Sequence, residues 1–272
     1  MAEPLLPLLV EPAELEKVLG APGLAVVDVG EERNFLARHV PGAVLLPYRA
    51  LVVARPPAGG LLPEDSALEA AFSAIGLTPE THVVAYDAEG GTRASRLLWT
   101  LDEVGHSRYS LLNGGLHAWV NEGHRTEDGP AAPKPATYKI ARHGAALARK
   151  DHILAHLGDP KVLVLDARTP AEYSGADVRS ARGGHIPGAV NFDWAIALDR
   201  VRNMRLKPRA DLEKEFTSRG ITPDKEIVAH CQTHNRSSHT WLALKWLGYP
   251  NVKGYDGSWS EWGNDRDLPV ET

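Results

Sequence analysis

Glu226-Ile-Val-Ala-His-Cys231-Gln-Thr-His-Asn-Arg236-Ser237 contains the turn from a strand into a helix, and the fold can be read outward from it. Ile227 to Ala229 form a short apolar run without alternation, the pattern of a strand buried on both faces. From Ser237 to Leu247 the apolar residues recur at helical spacing, and Gly248 stops the run. Upstream, Val162-Leu-Val-Leu-Asp166 is a second buried strand. Between the two strands, Pro208 to Arg219 reads as a helix: proline opens it, Leu212 and Phe216 share a face, and Gly220 ends it. Strands alternating with helices imply a mostly parallel sheet with helices on both faces, an α/β fold.

The same order occurs earlier in the chain. His39-Val-Pro-Gly-Ala43 returns as His185-Ile-Pro-Gly-Ala189, and Gly76-Leu-Thr-Pro-Glu80 as Gly220-Ile-Thr-Pro-Asp224. His82-Val-Val-Ala-Tyr-Asp87 aligns with Glu226-Ile-Val-Ala-His-Cys231, and Asn113-Gly-Gly-Leu-His-Ala-Trp119 with Asp256-Gly-Ser-Trp-Ser-Glu-Trp262. Four matched blocks in one order indicate a duplicated domain. In the first copy the strands fall at Val26–Asp28 and Val83–Tyr86, with a helix near Leu68 to Ile75. The proline-rich stretch beginning at Thr126 marks a linker. The expected organisation is a first domain over 1–125, a linker over 126–146 and a second domain over 147–272.

Composition narrows the function. The 272 residues are 43% hydrophobic and 24% charged with a net charge of -5, ordinary for a globular protein and unsuited to general attraction to nucleic acid or anionic membranes. No apolar run reaches the roughly 20 residues that span a bilayer. The opening Met1-Ala-Glu-Pro-Leu-Leu has no basic leader and does not read as a secretory signal, so a cytoplasmic protein is expected. A single cysteine excludes an internal disulfide, a dithiol redox pair and multi-thiolate zinc, and nothing in the sequence supports a metal or organic cofactor.

That cysteine stands where chemistry is expected. A lone Cys is most often an inert core residue, but Cys231 closes a strand and precedes a loop without acids or large apolar side chains, at the sheet edge where α/β proteins bind ligands. The N–H groups of Gln232, Thr233, His234 and Asn235, the first turn of the following helix and the charge of Arg236 suit an anion. The same surroundings lower a thiol from its ordinary pKa of about 8.5. The reading requires a thiol that reaches solvent. In the first copy Asp87 stands in the place of Cys231, and its loop Asp87-Ala-Glu-Gly-Gly-Thr-Arg93 carries two acids. A carboxylate cannot replace a thiolate nucleophile and Glu89 repels anions, so this copy reads as catalytically silent, covering one side of the other's site.

The blocks ending in Arg168, Gly184-His-Ile-Pro-Gly-Ala-Val190, the Cys231 loop and Asp256-Gly-Ser-Trp-Ser-Glu-Trp262 together resemble the tandem-domain rhodaneses over essentially the whole chain. The loop is similar to a bacterial subgroup with a Cys-Gln-Thr-His-x-Arg pattern. It departs from the Cys-Arg-Lys-Gly-Val-Thr of animal thiosulfate sulfurtransferases and the Cys-Gly-Ser-Gly-Val-Thr of mercaptopyruvate sulfurtransferases. The resemblance implies two rhodanese-like domains, the second active, and a persulfide on Cys231 that moves sulfur from thiosulfate to cyanide or a cellular thiol. It also implies that the connector before His185 supplies a substrate-binding arginine, with Arg182 ranked ahead of Arg179. The substrate-binding set is thus Arg236, Arg182, Arg179, Gln232, Thr233, His234 and Asn235. His39, His185, His230, Asp166, Trp259 and Trp262 read as structural. A monomer is expected. Competing readings are a 3-mercaptopyruvate donor, a noncatalytic sulfur carrier, and a Cys-dependent phosphatase. The last uses five residues between Cys and Arg, where this loop has four.

Overall fold

The computed structural model describes residues 5–142 and 145–272. It divides into two α/β units, one of residues 5–51, 63–142 and 199–206, the other of 52–62, 145–198 and 207–272. The first unit is built on a five-stranded parallel sheet in the spatial order Leu9–Val10, Tyr109–Leu112, His82–Tyr86, Leu24–Asp28, Val44–Leu45. The second repeats it with Leu147–Ala148, Val252–Tyr255, Glu226–His230, Val162–Asp166 and Val190–Asn191. Each sheet therefore runs 1-5-4-2-3, and the two α/β domains expected from the repeat are present.

The sequence pattern accounts for the elements. Ile227, Val228 and Ala229 have no exposed surface, and their register partners Leu163, Val164 and Leu165 are likewise buried, so the central strands are apolar on both faces. Trp259 and Trp262 join Val164, Ile186, Val228 and Tyr255 in one core cluster, as expected. Arg209–Thr217 is the expected helix, with Pro208 just outside it and Leu212 and Phe216 buried.

The His-x-Pro-Gly blocks are structural in both copies. His39 stacks on Phe35 at 4.0 Å and pairs Nδ1 with the Phe35 carbonyl, while His185 stacks on Tyr173 at 3.7 Å and pairs with the Tyr173 carbonyl. The Asn113 and Asp256 blocks also share a task that the alignment does not reveal. In the second unit Asp256 accepts the Leu62 N–H at 2.8 Å, and Ser260 Oγ accepts the Gly59 N–H at 3.0 Å. In the first, Asn113 accepts the Leu206 N–H at 3.0 Å. Each block anchors a segment that the repeat assigns to the other copy.

Candidate active site

In the second unit the strands Val162–Asp166 and Glu226–His230 are neighbours, and the connections leaving them run in opposite directions along the sheet. Such a switch point opens a crevice beyond the carboxyl ends of the two strands. Asp166 and His230 are register partners at that edge, and Cys231 is the next residue. Behind it lies a buried frame. Arg168 grips Asp166 with Nε at 2.9 Å and Nη2 at 2.5 Å, donates to the Gly184 carbonyl, and lies 4.4 Å over the Trp259 ring. Burial holds His230 down to about 4, neutral at physiological pH.

The loop is pinned from the side of residues 258–260. Trp259 N–H donates to the Cys231 carbonyl and Ser260 N–H to that of Gln232, both at 2.9 Å, while Ser258 Oγ accepts from Cys231 N–H. Gly60 lies against Thr233 so closely that a Cβ there would stand 2.2 Å from the Thr233 carbonyl oxygen; glycine is required by that approach. Held this way, the loop turns N–H groups inward. The N–H groups of Thr233 and Ser237, the Ser237 hydroxyl and the Arg236 guanidinium surround the Cys231 sulfur and favour its thiolate form. Burial alone would raise the thiol; the charge of Arg236 and these donors outweigh it, leaving Cys231 below its ordinary value.

Ser237 has one proton, and giving it to sulfur makes Nδ1 of His234, 2.7 Å away, the donor to Ser237 Oγ. His234 is fully buried with φ +56°, a conformation uncommon for histidine, so its ring is aimed at Ser237 at some backbone cost.

Several expectations need correction. Cys231 is 1% exposed, so the thiol is not the open one the sequence reading required. Its loop neighbours Gln232, Thr233, Asn235 and Arg236 are partly exposed and form the rim beside it. The two connector arginines stand in different surroundings. Arg182 spends its guanidinium on the carbonyls of Leu268 (2.7 Å), Trp262 (3.0 Å) and Asp265, and so is a clamp for the C-terminal segment. Arg179 keeps a half-exposed side chain, bound to Asp177 at 2.9 Å and 3.6 Å from Glu172. Gln232 donates to the Arg179 carbonyl and Ser180 Oγ, each at 3.2 Å, so its side chain ties the loop to the connector. Arg236 meets an acid the sequence did not nominate: Nη1 and Nη2 donate to the two oxygens of buried Glu172 at 2.6 and 2.8 Å. Thr169-Pro-Ala-Glu172 is legible as a helix cap, but its pairing with a residue 64 positions away is not. Ser237 was also missed. No group of three or more His, Cys, Asp or Glu among the described residues is arranged to hold a metal.

A family model of the rhodanese-like domain matches residues 11–122 and 150–265. The chain belongs to the rhodanese family. It is 45% identical to a thiosulfate sulfurtransferase of Pseudomonas aeruginosa over 98% of this chain and 97% of the relative. With a thiosulfate sulfurtransferase of Azotobacter vinelandii it shares 46% identity over the same fractions. Among solved structures, the rhodanese fold of SseA from Escherichia coli, a 3-mercaptopyruvate sulfotransferase, superposes with a TM-score of 0.83 at 27% identity, covering 93% of this chain and 99% of that one. Both halves of this chain are thus rhodanese-like domains, and only the second has a cysteine directly after its fourth strand.

Proposed function

We propose that this rhodanese transfers sulfane sulfur from thiosulfate to cyanide or a cellular thiol by way of a persulfide on Cys231. The observation that carries the reading is the set of inward donors converging on one sulfur, because the reaction keeps negative charge there throughout. The full-length likeness to thiosulfate sulfurtransferases supports the same choice.

The Cys231 thiolate attacks the outer sulfur of thiosulfate. A new S–S bond forms, the S–S bond of the donor breaks, and its electron pair leaves with sulfite. The persulfide carries one negative charge, as the thiolate did, and the donor's two charges depart with sulfite, so no proton is needed. Cyanide or a thiolate then takes the terminal sulfur and restores Cys231, the two half-reactions of covalent catalysis. The N–H groups of Thr233 and Ser237, the Ser237 hydroxyl and Arg236 stabilise the sulfur in both forms. Arg179, on the exposed side of Glu172, is the group for the sulfonate oxygens. Only one sulfur atom has to pass the rim of Gln232, Thr233, Asn235 and Arg236, which fits a small sulfane donor better than a phosphate ester.

A single free thiol fits a reducing compartment such as the cytoplasm, and no helix among the described residues is long and apolar enough to cross a membrane. Mass spectrometry after treatment with thiosulfate tests the reading. One added sulfur at Cys231, discharged by cyanide, is expected. An unmodified cysteine sinks it, an adduct that no acceptor discharges makes the protein a carrier, and faster loading from 3-mercaptopyruvate changes the donor.

A further inference from the structure

Among the described residues Arg236 is the cation whose charge favours the Cys231 thiolate, and its guanidinium is already held. Glu172 engages both terminal nitrogens in a two-pronged pair. The Glu172 side chain has no exposed surface, and that of Arg236 is 19% exposed. Glu172 is oriented in turn by Thr169, whose N–H and hydroxyl donate to Oε2 at 3.2 and 3.1 Å. A planar fork paired on one edge has its remaining N–H directions fixed, and the same guanidinium interacts with Cys231.

We propose that Glu172 is a positioning residue of the sulfur-transfer site: it turns the Arg236 guanidinium onto the Cys231 sulfur and withholds that guanidinium from the incoming donor, which is left to Arg179 and the loop N–H groups. The inference rests on the function proposed above and divides labour within it. A guanidinium free to move would pair with the doubly charged donor at least as readily as with the thiolate, and would release the nucleophile it is meant to stabilise. Locked to Glu172, Arg236 forms a pair of zero net charge whose positive end faces the sulfur. Arg179 lies 3.6 Å from the same carboxylate with a half-exposed side chain, where an entering anion can compete for it.

The direction of one shift separates positioning from simple charge. If Glu172 were only a negative charge near the thiolate, removing it would make the thiol more acidic. If it acts through Arg236, removing it makes the thiol less acidic. Glu172→Gln is the variant of choice, since glutamine at this helical position keeps the cap with Thr169. The pH midpoint for iodoacetamide alkylation of Cys231 should rise by roughly one unit in Glu172→Gln, with kcat lowered and the thiosulfate KM within about twofold of wild type. Arg236→Ala should also raise the midpoint, and the double variant should lie no higher than Arg236→Ala alone. A midpoint that falls or does not move in Glu172→Gln, or increments that add in the double variant, overturns the proposal. Alkylation needs no sulfur donor. A protein that alkylates as described yet never takes up sulfur therefore refutes the proposed function and leaves the placement of Glu172 intact.

Discussion

The loops after the fourth strand of the two sheets are the same device with different occupants. In the first unit the Asp87 carboxylate accepts the N–H of Glu89 and Gly91 at 2.8 Å and of Ala94 at 2.9 Å. In the second the N–H groups of Thr233 and Ser237 favour the thiolate form of Cys231. Both loops end on an arginine bound to an acid after the second strand: Arg93 to Glu31 at 2.5 Å, Arg236 to Glu172 at 2.6 Å. The first copy keeps the cradle of N–H groups. It has filled it with the Asp87 carboxyl, which takes three loop N–H groups and so helps the loop keep its shape. The second copy holds a thiol there, the group that the proposed function uses.

The largest effect tests the occupant itself. Cys231→Ser should lower thiosulfate:cyanide activity by at least about 10³-fold, because the hydroxyl forms no persulfide. Adding Asp87→Cys to that variant should restore nothing, as Arg93 there is also bound to Glu89 at 2.9 Å. Near-normal turnover by the double variant would show that the loops differ in one residue only.

Next in size is the difference between the connector arginines. Arg182→Ala strands three carbonyls and should cost about 2–4 kcal/mol in urea unfolding. Arg179→Ala should leave the unfolding midpoint in place and raise the thiosulfate KM roughly tenfold. The opposite outcome would reinstate the order the sequence suggested.

Asp87→Asn keeps the side-chain shape while removing the charge and one acceptor. We expect a loss of about 1–3 kcal/mol by thermal or urea unfolding with sulfur transfer retained. A variant as stable as wild type would mean that Asp87 is not the anion for which the silent loop is built.

The smallest effect concerns acid. Burial would raise the Glu172 carboxyl, but Arg236 and Thr169 overcome this and hold it at about 2, below the ordinary 4.5. A depressed carboxyl contributes stability above its unfolded value and loses it as pH falls toward the folded value, here between about 4.5 and 2. Unfolding at about pH 5 and about pH 3 should therefore show a steeper loss in wild type than in Glu172→Gln. Equal slopes would remove the pair from the acid response.

Much of this was legible because it is local. Buried strands such as Val162–Asp166 and helices such as Arg209–Thr217 announce themselves by apolar runs, periodicity and glycine stops, and the repeat gives the second sheet from the first. Cys231 was legible because a strand end, a polar loop and a helix start are contiguous. The role of Arg182 was not. An arginine on a connector looks solvated until the carbonyls of Trp262, Asp265 and Leu268 arrive from some 80 residues away. The burial of Cys231 was likewise hidden, because a polar loop suggests exposure and only packing shows what covers it.

By itself the sequence determined a duplicated α/β chain, an aspartate-bearing and a cysteine-bearing copy, and the place of the single thiol at the end of a strand. Tertiary structure decided which charges reach that sulfur: Arg236 turned by Glu172, Ser237 backed by His234, Arg179 left half-exposed and Arg182 tied down. Periodicity and turn residues act over a few neighbours and can be read along the chain. Ion pairs and N–H donors act through space over a few ångströms, between residues whose separation in sequence carries no trace of the contact.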